Sequence, residues 1–188
     1  MKNIYSLILI LLILSSGCKS TKPVAETQTP VAETAGVPSE INFHEATTWI
    51  LGYFNRDRLT HYPYSTFFQS GYDDYQPSTE AMNNLLDISH ENITIKIVMG
   101  TWCSDSRREV PKYLKVLDLW NFPSGGVTCI GVDEAKQSPV GEYNNLDIVR
   151  VPTFIVYKNN IESGRIIENP VTSLEQDMVK ILTGMKNQ

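Results

Sequence analysis

The stretch MGTWCSDSRREVP, residues 99–111, holds the side chains of this sequence best placed to do chemistry. Cys103 stands directly before an apparent helix, where unpaired backbone N–H groups and the helix dipole favour an anion. Such an environment favours the thiolate, which is the nucleophilic form of cysteine. Ser106 follows three residues later, one helical turn on, where its hydroxyl could donate a hydrogen bond to the sulfur. We therefore expect Cys103 to be a nucleophile assisted by Ser106. The alternative is that Cys103 is a small buried core residue.

The neighbours of Cys103 carry opposing charges. Trp102 is expected to shield one side of the sulfur. Arg107 and Arg108 would add positive potential if their side chains turn toward the sulfur, whereas Asp105 would repel a thiolate. The order of the residues does not settle which charge dominates, because that depends on where each side chain points.

The second half of the sequence alternates between strand and helix patterns. ITIKIVMG is rich in β-branched residues and predicts a strand directly before the cysteine. The following segment, SDSRREVPKYLKVLDLW, places apolar residues at the spacing of a helix with one buried face. Three more strands are predicted over GVTCIGVDE, VPTFIVYKNN and SGRIIEN. A last helix over TSLEQDMVKIL would begin with a capping box of Thr172 and Glu175.

The segment before this alternation is less regular. INFHEATTWILGYF, residues 41–54, has apolar residues at helical spacings and predicts a short amphipathic helix. Residues 55–76 predict an irregular loop anchored by tyrosine and phenylalanine, and PSTEAMNNLLDISHEN predicts a second helix. We therefore expect an extension over residues 41–77, followed by an α/β domain over 78–188 with a central mixed sheet of four to five strands flanked by helices.

Several motifs in this order resemble the thioredoxin superfamily. WCSDS follows a strand, Pro111 lies eight residues after Cys103, VPT precedes a strand and YKNN ends it. The resemblance covers residues 78–185. Within the superfamily, the sequence is similar to bacterial lipoprotein-like proteins with a W-C-x-D-S motif. The resemblance implies a thioredoxin-like three-layer sandwich in which Pro152 forms a cis peptide bond facing the cysteine. It also implies that substrate contacts Trp102 and Asp105, together with Val151, Pro152 and Thr153.

Two residues depart from the pattern of that superfamily. Ser106 stands where a dithiol enzyme has its resolving cysteine, so a mixed disulfide on Cys103 would persist until an external thiol attacked it. Ile97, six residues before Cys103, replaces the buried aspartate that accepts a proton during the dithiol step. Both departures remove the resolving step and leave the nucleophile in place.

The remaining cysteine and the histidines offer no further site. Cys129 lies in the middle of a predicted strand, where a free cysteine normally behaves as a small buried apolar residue. We expect it to be too far from Cys103 for a disulfide. The three histidines show no metal-ligand spacing, so neither a metal nor another cofactor is expected.

The first 40 residues predict export and anchoring. Residues 1–17 have the layout of a secretory signal, and SSGC resembles a bacterial lipobox ending at Cys18. We expect Cys18 to be lipidated and residues 18–40 to form a flexible tether. An ordinary cleaved signal with an incidental cysteine is the alternative. The expected location is the cell envelope, facing the periplasm or the exterior. The formal net charge of −5, without basic runs, argues against nucleic acid as a partner.

These observations leave three functions open. The first is thiol–disulfide exchange by a single cysteine, with proteins or low-molecular-weight thiols and disulfides as partners. The second is a non-catalytic binding module that uses the groove beside Trp102 and residues 151–153. The third is a redox sensor in which Cys103 is reversibly capped.

Overall fold

The computed structural model describes residues 40–184. A five-stranded sheet runs in the spatial order β1-β3-β2-β4-β5, in which β2 and β3 are parallel and the other neighbours antiparallel. This confirms the predicted α/β fold with a thioredoxin-like mixed sheet. The strands are β1 Gly52–Phe54, β2 Ile93–Met99, β3 Val127–Gly131, β4 Thr153–Lys158 and β5 Ile161–Ile167.

All four α-helices pack on one face of this sheet. Alternate residues of β2, from Ile93 to Met99, point into a core that also contains buried side chains from every helix. At its centre Tyr113 stacks on Phe154, with ring centroids 4.1 Å apart. The helices are α1 Ser65–Asp74, α2 Thr79–Leu86, α3 Ser104–Leu119 and α4 Leu174–Thr183.

The opposite face carries a smaller layer without an α-helix. The segment 132–150, which includes a 3-10 helix over Tyr143–Leu146, covers a second apolar cluster built on Val98, Ile130 and Ile155. The predicted three-layer arrangement is therefore present, but the third layer is a folded loop with one 3-10 turn. As a result, the β3–β4 connection can place residues 150–152 directly beside the start of α3.

Residues 41–54 do not form the predicted amphipathic helix. They contain a 3-10 helix over Ala46–Thr48 and then strand β1, which pairs antiparallel with β3. The apolar spacing had suggested a helix, but Ile50 is instead buried in the core beside the sheet. Pairing with the exposed edge of β3 satisfies the backbone of this segment and outweighs the helical pattern.

The aromatic segment 55–76 is also more ordered than expected. It contains a 3-10 helix over Arg56–Thr60 and the helix α1, which packs along α3. Tyr72 of α1 donates a hydrogen bond to Asp118 of α3, and Arg56 binds the same carboxylate through both guanidinium nitrogens at 2.8 and 2.6 Å. The extension is thus helical in part and is tied to the domain through α3.

The capping box predicted at Thr172 and Glu175 is wrong by one residue. The N-cap of α4 is Ser173, whose hydroxyl accepts a hydrogen bond from the amide of Gln176. Glu175 turns away and accepts from Tyr75 and from the amide of Ser78, joining α4 to the start of α2. A helix was correctly predicted over Thr79–Leu86, and Ser78 caps it.

The predicted signal over residues 1–17, the lipidated Cys18 and the tether up to residue 39 lie outside the described residues. The chain from Glu40 onward forms one compact unit. Across residues 40–184, no helix combines the length and the apolar character needed to span a membrane.

Candidate functional site

Cys103 occupies the N-cap position of α3, as the sequence predicted. Its backbone is extended, its amide donates to the Gly100 carbonyl at 3.0 Å, and its carbonyl accepts from Arg107 at 3.1 Å to close the first helical turn. The first amides of a helix have no carbonyl partner within that helix. The side chain is partly exposed. The sulfur therefore stands at an accessible helix N terminus.

The residues that face Cys103 come from the loop before β4. The Val151–Pro152 peptide bond is cis, as predicted. The Cys103 thiol donates a hydrogen bond of 3.3 Å to the Val151 carbonyl oxygen. The side chain makes no capping hydrogen bond to the first amides of α3, so its hydrogen bond to the Val151 carbonyl is the contact that orients the thiol. The structure thus places the Cys103 thiol against the carbonyl that leads into the cis bond before Pro152.

Trp102 packs against the same apolar cluster as Cys103. Its indole N–H donates to the Val132 carbonyl at 3.0 Å. The ring lies so close to Gly100 that a β-carbon there would come within 2.5 Å of the indole Cε2 atom. Glycine at position 100 is therefore needed for the indole to lie flat against the loop.

Ser106 is completely buried behind the cysteine. Its hydroxyl oxygen accepts a hydrogen bond of 3.3 Å from the Gly100 amide. Across residues 40–184 the Ser106 hydroxyl donates no hydrogen bond, and the hydrogen bond to the Cys103 sulfur expected from the sequence is not formed. The side chain thus fixes the end of β2 against α3, whatever its role toward Cys103.

Two of the predicted substrate-binding side chains have their polar groups engaged within the protein. The Thr153 hydroxyl donates to the Arg150 carbonyl at 2.6 Å and is buried. The Asp105 carboxylate pairs with Arg108 at 2.7 Å. Each of these side chains would have to exchange an internal partner to bind a ligand through its polar atoms.

The structure settles the balance of charge that the sequence left open. Arg108 is paired with the carboxylates of Asp105 and Glu109. Arg107 instead donates through one nitrogen, Nη1, to the carbonyl oxygens of Thr101 and Trp102, at 2.8 and 2.7 Å. Within residues 40–184 Arg107 has no carboxylate partner. Its charge is therefore the unneutralised one beside the cysteine.

Thr101 belongs to the site and was missed by the sequence analysis. It is completely buried, accepts a hydrogen bond from the Ile50 amide at 3.3 Å and donates to the Thr48 carbonyl at 3.0 Å. These partners lie 51 and 53 residues away in the sequence, so no local pattern could identify them. Thr101 joins the N-terminal extension to the loop that carries Cys103.

Cys129 is a core residue, as predicted. It is 3% exposed in the middle of β3, paired with Ile97 of β2, and belongs to the cluster on the helical face of the sheet. Cys103 packs against the cluster on the other face, and both thiols are free. Burial raises the pKa of Cys129 to about 12, although the positive charge of Arg56 acts in the opposite sense.

Native Cys129 should therefore resist alkylation. At pH 8 a thiol with a pKa of about 12 is a thiolate in roughly one molecule in 10⁴, about 10³-fold less than free cysteine. We expect iodoacetamide to label Cys103 and leave Cys129 unmodified, as read from the two peptides by mass spectrometry. The same reaction in urea supplies the control, because there both peptides should be labelled equally. Comparable labelling of the two thiols in the folded protein would contradict this assignment.

The histidines do not assemble a metal site. His44 contacts Glu134, His61 contacts the Asp57 carbonyl and His90 contacts the Trp120 carbonyl, in three separate places. Over residues 40–184, no three side chains of His, Cys, Asp or Glu come together as metal ligands.

The fold and the site together define a thioredoxin-like domain with a single accessible cysteine at a helix N terminus. No family model matches the sequence, and no curated protein matches it. Among solved structures, the chain is similar to a protein of unknown function from Pseudomonas aeruginosa, with 13% sequence identity and a TM-score of 0.43. That match covers 63% of this chain and 79% of the other.

Proposed function

We propose that this chain is a thioredoxin-superfamily protein that exchanges disulfides through Cys103 as a single nucleophilic thiol. The observation that carries the proposal is the placement of a partly exposed cysteine at the N-cap of a 16-residue helix, 3.3 Å from the carbonyl preceding a cis-proline. The helix N terminus favours negative charge on the sulfur. We further propose that the Ser106 hydroxyl, which donates no hydrogen bond within residues 40–184, turns toward the sulfur when the sulfur is charged.

The reaction has two balanced steps. The Cys103 thiolate attacks one sulfur of a substrate disulfide, the substrate S–S bond breaks, and the departing thiolate takes up a proton. The product is a mixed disulfide between Cys103 and the substrate. An external thiolate then attacks the substrate sulfur, the bond between that sulfur and Cys103 breaks, and a new disulfide joins the substrate to the external thiol while the Cys103 thiolate takes up a proton. The protein gains and loses no electrons over the cycle, so exchange and isomerisation are the reactions that one thiol can perform.

The absence of a second thiol near the sulfur favours this single-cysteine chemistry. Ser106 occupies the resolving position, Cys129 lies on the other face of the sheet, and Ile97 is completely buried among apolar side chains. Cys103 and Cys129 are the two cysteines of residues 40–184, and neither Cys129 nor Ser106 offers a thiol beside the mixed disulfide.

The proposed place of action is the cell envelope. The sequence from Met1 to Cys18 supports export and lipidation, which would hold the domain on the periplasmic or external side of a membrane. Proteins and small molecules carrying thiols or disulfides would then be its partners, in a compartment where disulfides persist.

The pH dependence of Cys103 alkylation tests the proposal. The full-length chain in detergent is treated with iodoacetamide across pH 5–10, and the Cys103 peptide is quantified by mass spectrometry. We expect half-maximal labelling clearly below pH 8.5, roughly the value for free cysteine. We also expect glutathione disulfide to form an adduct on Cys103 that added dithiothreitol removes.

Two results would overturn the proposal. Half-maximal labelling at or above about pH 8.5 would show that the helix N terminus does not activate the sulfur. No labelling of Cys103 in the folded protein would show that disulfides cannot reach it.

A non-catalytic binding module is the second candidate, and one observation favours it. The thiol of Cys103 is already hydrogen-bonded to Val151, so the protonated form fits the groove without any change. In that case the groove beside Trp102 would hold an extended peptide while the cysteine stayed reduced. Retained peptide binding in a Cys103→Ser variant, together with unactivated alkylation, would distinguish this function from exchange.

A further inference from the structure

We propose that Arg107, held in place by the N-terminal extension, is a positioning residue that sets the reactivity of Cys103 by placing an unneutralised positive charge beside it. This inference rests on the proposed function. It also gives the extension, residues 41–77, a role in the site, because residues 43–50 contact both the arginine and the loop that precedes the cysteine.

The first observation is how Arg107 is held. Its Nη1 atom donates to the carbonyls of Thr101 and Trp102, the two residues directly before Cys103. Its guanidinium carbon lies 4.9 Å from the centre of the Phe43 ring, which is a cation–π contact across to the extension. The Arg107 side chain is therefore held by two carbonyls of the loop before Cys103 and by the aromatic ring of Phe43.

The second observation is that the charged side chains beside Cys103 on α3 and beside Val151 are paired with opposite charges. On α3, Asp105 is paired with Arg108 at 2.7 Å. Beside Val151, Arg150 is paired with Glu168 at 2.8 Å.

Arg107 is the exception among these groups, because its partners are neutral carbonyls and a ring. Partial burial lowers the pKa of the Arg107 guanidinium, and the charge of Cys103 opposes that shift. The two groups thus interact electrostatically, and the guanidinium stays protonated at neutral pH. A positive charge in a partly desolvated setting acts more strongly on a neighbouring thiolate than an exposed charge would.

The third observation connects the extension to the same loop by a separate route. Thr101 donates to the Thr48 carbonyl and accepts from the Ile50 amide. Its own carbonyl accepts from Arg107. The extension thus holds the loop through the Thr101 hydroxyl and contacts the arginine through Phe43, and Thr101 is bonded to both the extension and Arg107.

The test removes one positive charge from α3 at either of two positions, Arg107 or Lys115. Arg107→Gln removes the charge beside Cys103. Lys115→Gln is the control, because Lys115 also donates to a backbone carbonyl, that of Asp73, and also lies over a tyrosine ring of the extension, that of Tyr72. Both changes cost one positive charge on the same helix, but Lys115 lies 12 residues beyond the cysteine.

We expect Arg107→Gln to slow iodoacetamide labelling of Cys103 at pH 7 by about three- to tenfold, the size of one partly screened charge interaction. At pH 10 the labelling rate of the variant should match that of the wild type within about twofold, because the Cys103 thiol is then ionised in both proteins. Lys115→Gln should follow the wild type at every pH. Arg107→Lys, which keeps the charge, should retain most of the wild-type rate at pH 7, and Phe43→Leu should be slowed by about twofold.

The outcomes separate this inference from the proposed function. If the wild type labels at low pH and Arg107→Gln labels with the same profile, the inference is overturned and the proposed function stands. Equal slowing by Arg107→Lys and Arg107→Gln would show that the positive charge is not the cause. If Phe43→Leu labels at the wild-type rate, the extension does not influence Cys103 through Phe43. If the wild type itself does not label, both proposals fail. Urea unfolding of each variant confirms that the comparison is made on folded protein.

Discussion

Replacing Ser106 with cysteine should shorten the lifetime of a mixed disulfide on Cys103 by at least about a thousandfold. Helix geometry places Cα atoms three residues apart at a separation of roughly 5 Å, within the range of about 4.4–6.8 Å over which disulfides form. The new thiol in S106C would therefore attack Cys103 within the same molecule. An effective concentration of only about 1 M exceeds 1 mM of an external thiol by about 10³, and well-oriented groups reach far higher values.

The measurement begins with a glutathione adduct on Cys103 prepared in the wild type and in S106C. Release of glutathione is then followed without added thiol. The wild-type adduct should persist, whereas S106C should release glutathione and keep a disulfide between positions 103 and 106. Electrons balance, because the two protein thiols lose two electrons and the substrate disulfide gains them.

Ser106→Ala is the matched control for S106C. It removes the acceptor for the Gly100 amide, as the cysteine largely does, but supplies no thiol. Its adduct should be as long-lived as that of the wild type. An equally persistent adduct in S106C would contradict the prediction, since it would mean that the side chain at position 106 does not reach the Cys103 sulfur.

The pH dependence of S106C release follows from Ile97. This residue is completely buried and apolar, so the position beneath the site offers no side chain to accept the proton of the resolving thiol. Release should therefore accelerate about tenfold per pH unit below about pH 8, as expected for unassisted ionisation of a thiol.

The part of the fold that could be predicted from sequence is the part set by local patterns. The strand ITIKIVM, the helix after Cys103 and the capped helix Thr79–Leu86 all show a single consistent period, and each lies where predicted. The placement of Cys103 at the N-cap and the cis bond before Pro152 followed from motifs in the right order. These features depend on neighbours close in sequence, or on a resemblance that spans the whole domain.

The part that could not be predicted depends on contacts distant in sequence. Residues 41–54 have helical spacing, yet Gly52–Phe54 pairs with β3. Hydrogen bonds to a free sheet edge stabilise this segment more than a short helix would, because an isolated short helix is only marginally stable. Helix α1 contains serine, glycine, phenylalanine and aspartate, all weak helix formers, and is stabilised by its packing on α3. No spacing rule could show that Arg107, rather than Arg108, is the unpaired cation, since that depends on Asp105 and Phe43 together.

Gly131→Ala should be the most damaging single-methyl change in the part of the chain described by the structure. Gly131 ends β3 opposite Gly52 of β1, and a β-carbon there would overlap the Ile50 carbonyl oxygen and come within 2.6 Å of its carbonyl carbon. Both groups are backbone, so neither can rotate aside, and Ile50 is completely buried. We expect the free energy of unfolding to fall by about 3 kcal/mol, at the upper end of overpacking costs.

Gly125→Ala is the matched control, because no atom lies within 4 Å of a β-carbon at that position. Its free energy of unfolding should stay within about 0.5 kcal/mol of the wild type, as for other exposed substitutions. Urea unfolding followed by tryptophan fluorescence compares the two variants.

The same pair also tests whether the extension acts on the site, because the Ile50 amide donates to Thr101, which binds Arg107 beside the cysteine. Displacing Ile50 should therefore slow labelling of Cys103 at pH 7 in Gly131→Ala and leave it unchanged in Gly125→Ala. Equal stability and equal labelling in the two variants would show that β1 does not pack against β3 in this register.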